Sequence, residues 1–372
     1  MKRFERRRLS FEGLVAAPSQ VFGAVRIVPL LRETPIEDLR LYSLPTAADL
    51  TTVQLDRRTA YTSYIPHAMV AALDDGEPWA NLGSRLLPRK AKPRDVFDVK
   101  VMQRLSRRIG RGQLRLLPQH MGMDAYLSVG FTGPNVVWPE YTREVLSWGL
   151  SPRSEWVSRA FDLRGFADAL RVFELCPGQV GSLVFVADAF STAFITPRPE
   201  DYRRLHRTML EDMVADLLVQ YAVLYPETAA LWSPIDAASV RSFDDLEQAV
   251  GGLRREWNRF AAFMASDLLD ADYEMQQLHS MDRYRLMRFR PTFRRQDVNH
   301  VGEVILDDQG QLAFLKTARL SAAQSRRGLL LSTLVAVDWD LLTAARAVGN
   351  SREEFIARLR KAGLERLLKK SA

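Results

Sequence analysis

The chain has 372 residues, 47% hydrophobic and 26% charged, with a net charge of +7 at neutral pH; this length and balance predict a soluble globular protein of two or three domains. No stretch reaches the roughly 18 apolar residues of a membrane span, and the basic start MKRFERRRLS runs into FEGLVAAPSQVF, where Glu12, Pro18 and Gln20 interrupt the apolar run that a secretory signal needs. A single cysteine, Cys176, excludes an internal disulfide and a CxxC metal pair, fits a reducing cytoplasm, and is read as a small core residue rather than a nucleophile.

VFGAVRIVPLL, at 21–31, is apolar and β-branched, and DLTTVQLD and AYTSYIPHAMVAAL follow with partial alternation, so the chain is expected to open with a sheet. DDGEP (74–78) reads as a turn, and Pro139 as the first turn of a short connecting helix ending near Gly149. GQVGSLVFVADAFSTAFI (178–195) predicts a hairpin turning near Asp188. Pro199, Glu200 and Asp201 then start a long amphipathic helix with its apolar stripe at Tyr202, Leu205, Met209, Met213, Leu217 and Tyr221. A further helix is expected over 242–270, opened by Ser242 with Asp245 in the spacing of a capping box. LDDQGQ (306–311) is the clearest break; beyond it the composition turns helical and basic.

FEGLVAAPSQVFGAVRIVPLL and LRVFELCPGQVGSLVFVADAFSTAFITPRPEDYRRLHRTMLEDMVADLLVQYA resemble the bacterial family named for its gene neighbourhood with ADP-ribosylglycohydrolase and rhodanese-phosphatase proteins (ARPP), over about residues 10–225. The resemblance implies an α+β domain found in regulatory or conflict-related operons and carries no catalytic signature. The expected fold is therefore α+β: a mixed sheet with packed helices, followed by an α-helical C-terminal region with a helix-turn-helix. The expected division is 1–240 for the α+β domain, 241–310 for a helical and connecting region, and 311–372 for the helix-turn-helix.

Catalytic chemistry needs a constellation, and none is evident. His67, His120, His206, His279 and His300 are scattered without metal spacing. Asp212 and Asp216 share a helix face near Glu211 and suit a divalent cation, but exposed acids serve solubility equally well. GRGQLR and GFTGPN satisfy neither phosphate-binding glycine pattern. No catalytic residue, metal or cofactor is expected.

The charge is more informative. Residues 316–372 hold twelve Lys/Arg against five Asp/Glu, a surplus equal to that of the whole chain. Two internal stretches are also basic: 85–115, with eleven basic and two acidic side chains, and RYRLMRFRPTFRR (283–295), where six arginines alternate with Tyr284, Phe289 and Phe293. Each suits either nucleic acid, through phosphate contacts and stacking, or a solvated strand face.

In the C-terminal stretch Leu329, Leu330, Leu334 and Val335 mark a first helix, which Trp339 closes. Asp340 caps a second, LLTAARAV, whose Ala344 and Ala345 permit a close crossing. Gly349 supplies a turn, Ser351 caps a third helix with Phe355 and Leu359 facing inward, and Gly363 stops it. This order, from about Arg326 to Leu364, resembles the Fis-type helix-turn-helix of bacterial regulators. By that resemblance Arg352 stands where a base-reading arginine is expected, with Arg358, Arg360 and Lys361 after it and Arg326, Arg327, Lys369 and Lys370 as further phosphate contacts. Leu342, Glu354 and Ala357 depart from the family's pattern. The expectation is a cytoplasmic DNA-binding or regulatory protein without catalysis of its own, partnered by double-stranded DNA and a homodimer or protein partner, with no membrane. Two alternatives stay open: an effector or enzyme handling a nucleotide-derived, ADP-ribose-like ligand, and a structural subunit whose helix-turn-helix is a protein interface.

Overall fold

The computed structural model describes residues 4–43, 52–56, 59–62, 69–73, 115–116, 165–214, 217–218 and, a few positions apart, 225–364. The 74–78 turn, the helix after Pro139, almost all of the basic stretch 85–115, and His67 and His120 lie outside these residues. The first strands are β1 (Phe4–Arg7), β2 (Leu14–Ala16), β3 (Gln20–Phe22), β4 (Val25–Arg32) and β5 (Leu39–Ser43), then β6 (Thr52–Asp56), β7 (Thr59–Thr62), β8 (Met69–Leu73) and β9 (Arg115–Leu116). Helix α1 (Phe166–Val172) precedes β10 (Gln179–Val186), β11 (Ala189–Ile195) and α2 (Pro199–Met209). Next come α3 (Phe243–Met264), α4 (Ser266–Leu269), β12 (Tyr273–Met281), β13 (Tyr284–Pro291), β14 (His300–Leu306) and β15 (Leu312–Arg319). Three helices end the described chain: α5 (Ala322–Ala336), α6 (Leu341–Ala347) and α7 (Arg352–Lys361).

Ten strands form one sheet in the order β1-β12-β13-β14-β15-β11-β10-β4-β2, with β3 also paired to β4. The α+β class is as expected, but every pairing in this sheet is antiparallel; the parallel pair β7–β9 belongs to a separate small sheet. The region 241–310, expected to be helical and connecting, begins with helices and then supplies β12, β13 and β14 to the sheet. LDDQGQ is the β14–β15 turn: Asp307 Oδ1 accepts from Gln311 N at 2.7 Å and Gly310 takes φ 87°. Asp-Asp-x-Gly is turn chemistry, and a hairpin inside a sheet uses it as readily as a domain boundary.

The β10–β11 hairpin turns where expected. Val186 pairs with Ala189, and the two turn residues, Ala187 and Asp188, have φ 47° and 61°. Both positive angles suit the right-handed twist of a two-residue hairpin and are strained for residues other than glycine. Asp188 also accepts from the buried Arg26 Nε at 3.1 Å, which fastens the turn to β4.

Alternation along the strands gives the sheet two apolar faces. One packs Val25, Val184, Phe194, Leu286, Ile305 and Phe314 against α1, β5 and α2. There Tyr202, Leu205, Met209, Met213 and Leu217 are buried as the helical stripe requires, with the turn Leu210–Val214 adopting π geometry. The acid in the first turn of α2 ties the helix to a strand: Asp201 is buried, and its Oδ2 accepts from Leu41 N of β5 at 2.8 Å. The other face packs Leu30, Leu183, Phe289, Val304 and Leu315 under the C-terminal part of α3 and α4, through Ala261, Trp257, Met264 and Leu268.

His300 lies at the start of β14 beside Phe190, ring centroids 5.1 Å apart, and neither ring nitrogen has a hydrogen-bond partner among the described residues. Burial, helped by the charge of Arg319, pushes its imidazole down to about 3. The unfolded chain therefore takes up a proton near pH 6.5 that the folded chain refuses until about pH 3, so stability falls as pH drops through this window. At pH 5 the loss is about 2 kcal/mol by linkage. Replacing His300 with leucine is expected to abolish this component: denaturant midpoints of the two proteins should converge or cross between pH 7.5 and pH 5, and parallel pH profiles would contradict it.

Candidate nucleic-acid interface

The last three helices form a unit with its own core. Ser321 opens α5 with a full capping box, its side chain accepting from Gln324 N and Gln324 Oε1 accepting from Ser321 N. Leu330, Leu331 and Leu334 are buried. The helix ends in a turn in which Asp338 and Trp339 have φ 49° and 68°, and Trp339 N returns to Leu334 O at 2.7 Å. Asp340 Oδ2 accepts from Thr343 N at 2.8 Å and starts α6, where the fully buried Ala344 and Ala345 form the close crossing. Gly349, φ 68°, makes the next turn, closed by Asn350 N to Ala345 O at 2.9 Å. Both turns thus satisfy the final carbonyls of the helix before them.

Ser351 and Glu354 form a second capping box: Ser351 Oγ accepts from Glu354 N at 3.1 Å, and Glu354 Oε2 accepts from Ser351 N at 2.8 Å and from Asn350 Nδ2 at 3.4 Å. Phe355 and Leu359 are fully buried against the other two helices. Gly363 lies outside the described residues, while Leu364 N reaches Leu359 O at 2.8 Å.

This unit is fastened to the sheet. Its core includes Val301 of β14 and Phe293 and Leu320, which follow β13 and β15. Gly328 of α5 is the contact point: a Cβ added there would stand 2.3 Å from Phe293 Cε1.

Of the eight cations expected at an interface, Arg326, Arg352, Arg360 and Lys361 are exposed. Arg352 begins α7 and Lys361 ends it, about 13 Å apart along the axis at 1.5 Å per residue. Two others are half-buried and engaged in holding the unit together: Arg327 Nε donates to Ala362 O at 3.1 Å, and Arg358 donates to Asn350 Oδ1. The Arg327 bond also brings the start of α5 beside the end of α7. Lys369 and Lys370 lie outside the described residues. Glu353 and Glu354 are both exposed between the two basic ends.

The internal arginine stretch 283–295 is not a free basic surface. Arg283 binds Asp38 at 2.7 Å, and Arg290 binds Glu274 at 2.9 Å. Arg288 is buried in β13 opposite Glu303 of β14, which in turn lies opposite the buried Lys316 of β15. Burial pushes the Glu303 carboxyl up, opposed by Lys316 and Arg288. This charged row stands two residues along from the Leu286–Ile305–Phe314 rung and, on β14, two from Val301, so it separates the core under α1 and α2 from that of the C-terminal helices. Arg288, Glu303 and Lys316 stand on three different strands, well apart in the sequence; only the register reveals that they meet.

His206 is structural: Nδ1 meets Tyr202 Oη at 3.1 Å and Nε2 meets Phe173 O at 2.9 Å. Cys176 is partly exposed, with burial pushing its thiol up. The side chains of Glu211, Asp212 and His279, and all of Asp216, lie outside the described residues. Among the described residues no three His, Cys, Asp or Glu side chains form a metal-binding group, and no helix is long and apolar enough to cross a membrane.

A family model described as ARPP-2 matches residues 9–282, extending past the 10–225 of the sequence resemblance and ending in the β12–β13 turn. No curated protein and no solved structure matches the chain. The last strands of the sheet and the three C-terminal helices lie beyond the matched residues.

Proposed function

The chain belongs to the ARPP-2 family, and we propose that it is a DNA-binding regulatory protein of the cytoplasm, without catalysis of its own, that reads duplex DNA through a Fis-type helix-turn-helix formed by α6 and α7. The observation that carries this reading is the division of α7: Phe355 and Leu359 are buried, while Arg352, Arg360 and Lys361 face outward on a helix of groove-entering size. Exposed Arg326, on α5, is a further cation of the same unit. Such modules place the first turn of the second helix against base edges, which gives Arg352 the reading role and the remaining cations phosphate contacts.

A second reading has its own support. Acids in the first turn of α7 and bases in the last are the charge order that stabilises a helix by itself, through its macrodipole, so a protein interface would need no DNA to account for it.

Mobility shifts of the intact chain on duplex DNA at two salt concentrations test the proposal. Arg352→Ala is expected to cost about 1 to 3 kcal/mol at a preferred site and to relax specificity there. The pair Arg360→Ala and Lys361→Ala should weaken all sequences alike and flatten the salt dependence. No shift at low salt, or equal effects of both changes on random and preferred DNA, would defeat base reading. Truncation must spare β15, which lies between β14 and β11; a chain ending at Leu320 keeps every strand of the sheet and should lose DNA binding.

A further inference from the structure

Among the described residues, the 22-residue helix α3 is packed along only part of its length. Its C-terminal part seals one face of the sheet through Trp257, Ala261 and Met264, and Asn258 Oδ1 accepts from Ala16 N of β2. No residue from Phe243 to Glu256 is buried; Phe243 is 90% exposed and Leu246 40%. A stretch of this length is marginal as an isolated helix, and adjacent Gly251 and Gly252 each cost about 1 kcal/mol relative to alanine. Yet the apolar pattern runs through it without a break: Phe243, Leu246, Val250, Leu253, Trp257, Phe260 and Met264 follow a three-four spacing, the seam of a coiled coil. The last three positions meet the chain's own sheet, and the first four continue the same stripe beyond it.

We infer that the free half of α3 pairs antiparallel with the same segment of a second copy of this chain. These four apolar positions, Phe243 and Leu246 exposed and Val250 and Leu253 partly so, are symmetric about residue 248, so a two-fold axis there sets Phe243 against the partner copy's Leu253 and Leu246 against its Val250. Charge selects the antiparallel direction. Asp244, Asp245 and Glu247 occupy the beginning of the helix with no base among them, whereas Arg254, Arg255 and Arg259 outweigh Glu256 further on. Antiparallel copies lay acids beside bases; parallel copies would lay like on like. On one flank of the seam Glu247 and Arg254 are seven residues apart, and because helical side chains lean toward the N-terminus, Glu247 of one copy and Arg254 of the other lean toward each other, twice per dimer. This interface is isologous, and it stands whether or not α7 binds DNA.

Sedimentation of the full chain over the micromolar range tests the inference. The natural chain should be a dimer, and Phe243→Asp with Leu246→Asp should make it a monomer, while denaturant unfolding of the dilute monomer shows the sheet core unchanged. Glu247→Arg alone and Arg254→Glu alone should each weaken the dimer about tenfold, since each places like charges together twice, and the two combined should restore it. A chain that stays monomeric, a dimer indifferent to the aspartates, or a double reversal that fails to rescue would each overturn the antiparallel pairing.

Discussion

Replacing Gly328 with valine is expected to lift the three C-terminal helices off the sheet without unfolding the sheet. Even a methyl group at this position would stand 2.3 to 2.8 Å from three atoms of the Phe293 ring, closer than real contacts allow. Phe293 has little room to retreat, because it is buried among Val301, Leu320, Leu330 and Leu331. Overpacking of this kind costs about 1 to 3 kcal/mol for a methylene or two, and valine adds a branched pair of methyls beyond the clashing Cβ. The loss should be local, since the cores on the two faces of the sheet share no member with the core of the C-terminal helices. Hydrogen exchange should therefore accelerate across 322–361 and remain slow in β10, β11 and β15. Uniform acceleration would mean that sheet and helices unfold as one cooperative unit. Phe293→Leu should reduce the penalty of Gly328→Ala, since neighbouring sites that share a clash do not add.

The C-terminal unit was legible from the sequence nearly residue by residue because its signals are local. Asp340, Gly349, Ser351, Phe355 and Leu359 each act within one turn of helix, where chain spacing and spatial spacing coincide. The hairpin at Asp188 was legible for the same reason. The sheet beyond residue 270 was not: Asp307 to Gly310 give a break signal, and whether a break joins two strands or two domains depends on partners far away in the chain. The row Arg288, Glu303, Lys316 was hidden by the same limit, and the arginines of 283–295 suited a surface because the acids that meet Arg283, Arg290 and Arg288, namely Asp38, Glu274 and Glu303, come from other parts of the chain. At the candidate interface, exposure separated Arg352, Arg360 and Lys361 from Arg327 and Arg358, which sequence alone had grouped together.

The two glutamates at the start of α7 are separated in the same way, and they allow the sharpest test of what the helix faces. Glu354 has a structural reason to be there: its carboxylate accepts from Ser351 N and Asn350 Nδ2 and closes the capping box. Threonine at 354 would forfeit those bonds, so any change in DNA binding would be entangled with fraying of the helix. Glutamine retains the acceptor oxygen and removes only the charge. Glu353 is exposed and takes no part in the capping box, so its charge is free to be changed. If α7 enters a groove lined with phosphates, Glu353→Lys in the Glu354→Gln background removes two negative charges and adds a positive one at the entering turn. Affinity for duplex DNA should then rise about tenfold or more at low salt, where repulsion is least screened, and the salt dependence should steepen by about one phosphate contact. The same variant should melt slightly earlier, because cations at a helix start oppose its dipole. Loss of thermal stability is expected whichever partner the helix meets, so only the DNA titration discriminates. A variant that melts earlier yet binds duplex DNA no better than the natural chain, at any salt concentration, would show that the acids serve the helix and that its outer face meets something other than phosphate.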